Sequence, residues 1–131
     1  MKNILRIILF SIIVFGSSVL YADLAFDTGT FTAEWTEATT NEDGTPVTDL
    51  LHTSLYYQIN NEPKVFIADI PASSPNGGGN KAHQFTVNIP EGNETDLRAV
   101  ATHTDLSGNV SREAVSLTVR IDKLPPASPA F

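Results

Sequence analysis

The densest group of chemically capable side chains is the loop EATTNEDGTPVTDL, residues 37–50, which carries Glu37, Glu42, Asp43 and Asp49. Carboxylates so close together raise the question of a hard-cation site. A calcium-binding EF-hand loop places a tight-turn glycine at its sixth position and carboxylates at its first and twelfth. With Gly44 as that glycine, the first and twelfth positions are Thr39 and Leu50, so the pattern fails at both ends. A looser site from Glu42, Asp43 and Asp49 competes with plain turn chemistry. Asp43-Gly44 suits a tight turn, because both residue types tolerate positive φ, and Pro46 stiffens the return. Turn chemistry is the stronger reading.

Zinc chemistry finds no ligand spacing. His52, His83 and His103 are far apart along the chain, which has no cysteine. Nucleophilic catalysis needs a serine, cysteine or similar group held beside a base, and no motif places one there. No enzymatic activity, no cofactor and no resident metal are expected. The remaining candidates are contact residues: Asp43 and Asp49 in the 37–50 loop, Asn76 in the glycine-rich stretch PASSPNGGGNK, and Asp105 and Asn109 in the turn DLSGN. Tyr56 and Tyr57 join them. As neighbours in a strand they must point to opposite faces, one to the core and one to the surface, where it could stack on a sugar or anchor a protein.

The elements that position these residues read as strands. TFTAEWTEA alternates Phe31, Ala33 and Trp35 against polar residues, which turns one face inward. SLYYQIN and KVFIADI, joined by a short link at Asn61-Glu62-Pro63, predict a hairpin. HQFTVNI places Phe85, Val87 and Ile89 on one side. DLRAVATHT does the same for Leu97, Ala99, Ala101 and His103, and EAVSLTVRI for Val115, Leu117, Val119 and Ile121. DLAFDTG offers a further strand at the start. The stretch 71–81 reads as a flexible surface tip, since a phosphate-binding glycine loop would lead into a helix and here a strand follows. The pattern predicts an all-β chain, a seven-stranded antiparallel β-sandwich with Trp35 in its core.

The first 22 residues stand apart. Lys2 and Arg6 precede an apolar run from Ile7 to Leu20, and small residues lead to Ala22, the layout of a secretory signal peptide. The expected organisation is a signal peptide over 1–22, one domain over 23–122 and a Pro-rich tail over 123–131. Removing Lys2 and Arg6 takes the formal charge from −7 to −9. An acidic chain of this kind is not expected to bind nucleic acid, and it would meet a membrane only through an uncleaved signal segment. Secretion to the periplasm, the medium or the cell surface is the expected location.

Several residues carry a resemblance. Trp35, followed by Asn41, Asp43, Gly44, Pro46, Asp49 and Leu50 and then Leu55, Tyr56 and Tyr57, resembles the first half of fibronectin type III domains of bacterial secreted proteins. LRAVATHTDLSGNVSREAVSLTV is similar to the last two strands of that family. It is equally similar to bacterial immunoglobulin-like repeats, whose junctions IDKLPPASP resembles. Three features depart from the pattern: Thr53 stands where an aromatic is usual, Leu97 where a tyrosine often starts the sixth strand, and PASSPNGGGNKA lengthens the middle. The resemblance implies a noncatalytic binding, adhesion or spacer module whose partner is a protein or glycan at the cell surface. A carbohydrate-binding module and a self-assembling subunit of a surface fibre are the alternatives.

Overall fold

The computed structural model describes Leu5–Leu9, Ala22–Asp23 and residues 29–131. The strands are β1 (Leu5–Leu9), β2 (Ala22–Asp23), β3 (Thr30–Thr36), β4 (Leu50–Ile59), β5 (Val65–Pro71), β6 (Asn80–Thr86), β7 (Glu94–Asp105), β8 (Ala114–Val115) and β9 (Val119–Asp122). No helix occurs among the described residues. The predicted signal peptide and most of DLAFDTG lie outside them. Of those stretches the described residues are β1, which runs parallel to β3, β2, which runs parallel to β9, and Gly29.

Apart from the parallel β1 and β2 at their edges, two antiparallel sheets make up the fold. One is the β3–β6 pair, with Phe31 opposite Phe85 and Trp35 opposite Lys81. The other holds β9, β7, β4 and β5 in that order, with β8 also on β7. Alternation explains the layering. Phe31, Ala33, Trp35 and Phe85 face Leu55, Leu97, Ala99, Ala101, Val119 and Ile121 in a single buried cluster. Tyr57 bridges the layers, its ring stacked on Phe85 at 6.1 Å between centroids. The all-β class and the two-layer arrangement therefore match the sequence pattern.

Two expectations need correction. EAVSLTVRI is not one strand. After Val115 the Ser116 N–H donates to the Ala99 carbonyl and the Ser116 hydroxyl accepts the Ala99 N–H, and one extra residue then enters before Val119 pairs with Leu97, which breaks the strand. Val115 and Leu117 are left outside at 44% and 42% exposure, while Val119 and Ile121 remain in the core. The second correction concerns the glycine-rich stretch, which is not a free tip. Residues 72–79 fold back on the 37–50 loop, with Leu50 N–H donating to the Pro75 carbonyl and Gly78 N–H to that of Glu37. Gly77 sits at φ +66 directly against the Ala38 carbonyl oxygen, where a Cβ has no room.

Candidate functional site

Five of the predicted contact residues gather at one end of the molecule. Leu106 N–H donates to the Asp49 carbonyl at 2.9 Å, tying the 105–109 turn to the 37–50 loop. Arg112 N–H donates to the Glu42 carboxylate at 2.8 Å, and the 72–79 segment completes the cluster through Pro75. Asp43, Asp105 and Asn109 hold their own turns. The Asp43 carboxylate accepts the Thr45 hydroxyl and N–H, which holds its pKa below the ordinary 3.8. Asp105 is lowered likewise, by the Asn109 side-chain amide first and then the Asn109 N–H. Asn76 is exposed, and its N–H donates to the Ser74 hydroxyl. These are turn-forming arrangements. Among the described residues, no three His, Cys, Asp or Glu side chains are placed to hold a metal ion.

Beneath these loops lies a buried polar network that sequence reasoning missed. Glu37, read as one of four loop acids, is 1% exposed. One carboxylate oxygen accepts Ser73 N–H at 2.8 Å and the other Gly79 N–H at 3.1 Å, with Lys81 Nζ 3.9 Å away. Next to it, Ala38 N–H donates to His103 Nε2 at 3.2 Å. The other ring nitrogen, Nδ1, lies 3.0 Å from the Thr53 hydroxyl, which also accepts the Trp35 indole N–H. Thr53 is thus the junction between Trp35 and His103. Nothing local in the sequence signals this, because the partners come from four separate strands and loops.

The three histidines are not brought together. His52 lies near Asp69, His103 belongs to the buried network, and His83 stands opposite Ala33 on β6.

The two tyrosines divide as alternation requires: Tyr57 faces inward onto Phe85 and Tyr56 faces outward. The register shows what Tyr56 belongs to. Phe66, Tyr56, Val100 and Val115 stand side by side across β5, β4, β7 and β8, on the outward face of the larger sheet. The Phe66 ring meets Tyr56 edge-on at 5.6 Å, and Lys64 Nζ sits 5.6 Å from the Tyr56 centroid while pairing with Glu113. Val100 is covered, but Phe66 is 55% exposed. A bulge between Leu55 and Tyr56 in the β4–β5 pairing helps to create this row, since it turns Phe66 and Asp69 to the same face although they are three residues apart. The sequence pointed to Tyr56. It could not point to Phe66, Val100 or Val115, because the row exists only through cross-strand register.

No family model matches this chain, and no curated protein or solved structure does so either.

Proposed function

We propose that the chain is a secreted, noncatalytic binding module of the fibronectin type III or immunoglobulin-like kind. Its contact surface is the outward face of the larger sheet, centred on Tyr56 and Phe66, and its partner is a protein at the cell surface. The exposed apolar side chains of that face, Phe66 beside Tyr56 and Val115 further along the row, carry this reading. Aromatic side chains on a rigid sheet offer contact area at low entropic cost, and such residues dominate binding energy where they bury in a partner's pocket. Lys64 and Glu113 give the row a charged border, the usual layout of an apolar centre with a polar rim. The fibronectin-like assignment is supported by the Trp35 strand, the two antiparallel sheets and the Asp105–Asn109 turn before the last strands.

The test compares retention of native envelope proteins by the wild-type chain and by Phe66→Ala and Tyr56→Ala, with circular dichroism confirming the fold of each. Retention should fall at least about tenfold in both variants, as loss of a central aromatic anchor costs about 2 kcal/mol or more. Leu106→Ala, an exposed apolar residue at the loop end, should leave retention unchanged. Equal retention by all four proteins would overturn the assignment of the surface. Binding of a glycan array that depends on Tyr56 would replace the protein partner with a sugar.

A further inference from the structure

The loop end of the molecule is held through a histidine whose two ring nitrogens have different jobs. Nε2 faces the Ala38 N–H, a group that can only donate, so Nε2 must be the bare acceptor nitrogen. The proton of the neutral ring then sits on Nδ1 and points at the Thr53 hydroxyl oxygen. That oxygen also receives the Trp35 N–H, so both of its lone pairs are in use. Adding a second proton to His103 would put an N–H on Nε2, nose to nose with the Ala38 N–H. A contact that holds the start of the 37–50 loop would become a repulsion between two donors.

We propose that His103 is a pH-sensitive fastener: in its neutral form it closes the 37–50 and 72–79 loops onto the sandwich, and its protonation releases them while the two sheets stay folded. Both loops adjoin this contact, and the Glu37 N–H to Gly79 carbonyl and Gly78 N–H to Glu37 carbonyl bonds tie them to each other there. Ala38 follows Glu37, whose carboxylate holds Ser73 and Gly79, and Leu50 at the far end of the loop holds Pro75. Displacing Ala38 therefore shifts the anchor of both segments.

From the end of β3, Glu37 favours the protonated ring, but Lys81 on β6 stands 3.9 Å from that same carboxylate. β4 contributes the neutral Thr53, and His52 of that strand lies on the opposite face beside Asp69. The 105–112 return contributes Ser111, whose hydroxyl accepts the His103 backbone N–H; Arg112 beyond it is exposed and pairs with Glu42. Burial outweighs Glu37 and lowers the His103 pKa below the ordinary 6.5. A histidine with a lower pKa in the closed form binds fewer protons there than in the open form. Closure is therefore complete above about pH 6.5 and is lost as the pH falls from there toward the closed-state pKa.

The test is amide hydrogen exchange at pH 7.5 and pH 5.0, corrected for the intrinsic pH dependence of exchange. Protection of Ala38, Leu50, Gly78 and Gly79 should fall on the order of tenfold at the lower pH, while Leu55 and Ala99 in the sheet hold theirs. In His103→Gln, whose side-chain oxygen can accept from Ala38 but cannot titrate, loop protection should not change with pH. Unchanged wild-type protection would overturn the proposal, as would an equal fall in His103→Gln. Should that variant not fold, the imidazole 15N shifts of the wild-type protein decide. They should show the Nδ1–H tautomer at pH 7.5 and protonation only below 6.5; the opposite tautomer, or protonation above 6.5, would sink the idea.

Discussion

The Trp35 indole N–H donates to the Thr53 hydroxyl at 3.2 Å, in the interior between the two sheets. Thr53 is fully buried, and His103 reaches the same oxygen from the other side. Replacing the hydroxyl by a methyl group keeps the shape and removes the acceptor. Thr53→Val should then leave two buried donors unmatched and lower unfolding stability by about 1–3 kcal/mol. Trp35 is the single tryptophan of the chain, so its fluorescence in a urea titration reads the change directly. An unmoved midpoint would show that water or a rearranged ring replaces the lost partner.

Glu37 is the other buried polar anchor, and it acts on segments far away in the chain: Ser73 is 36 residues on and Gly79 is 42. Glu37→Gln keeps the size but turns one of the two acceptor oxygens into a donor, which then faces a backbone N–H. The expected loss is about 1.5–3 kcal/mol, the range for hydrogen bonds to a charged group. Proteolysis should find the 72–79 segment before any other site in this variant. A variant as stable and as resistant as the wild type would mean that the carboxylate does not hold the loop.

Those long separations explain what the sequence could and could not disclose. Alternation is a local signal, so the inward set Phe31, Ala33, Trp35, Leu97, Ala99 and Ala101 was legible one strand at a time. Glu37 was not, because its burial follows from a loop 36 residues later folding back over it. The strand break at Ser116 was hidden by the opposite effect. Val115 and Leu117 continue the alternation of Val119 and Ile121, but four residues from Val115 to Val119 span three on β7, from Val100 to Leu97, and this extra residue puts Val115 and Val119 on opposite faces. The outward row at Tyr56 and Phe66 depends on a bulge, whose extra residue has no composition signature.

The glycines make a paired prediction. Gly77 and Gly92 both have positive φ, +66 and +78. Gly92 has open space where a Cβ would go, so Gly92→Ala should cost only the backbone term of about 1–2 kcal/mol. At Gly77 the same Cβ would run into the Ala38 carbonyl. Gly77→Ala must also push the 72–79 segment off the 37–50 loop, and its thermal midpoint should fall well below that of Gly92→Ala. Equal midpoints would mean that the segment is free to shift aside.

The exposed acids give a prediction of sign. Asp43 accepts the hydroxyl and N–H of Thr45, and Asp105 accepts the side-chain amide and N–H of Asn109. Each carboxylate is stabilised in its charged form, so each should titrate below 3.8 in a carboxyl 13C experiment. A lowered carboxylate pKa contributes to the turn above its unfolded value, and the contribution is lost as the pH falls through the folded value. The local hydrogen bonds of both turns should therefore persist at pH 5, below the ordinary histidine value, where the His103 contact weakens. Opening of the 105–109 turn in step with the 37–50 loop at that pH would show that the Asp105 hydrogen bonds do not hold the turn by themselves.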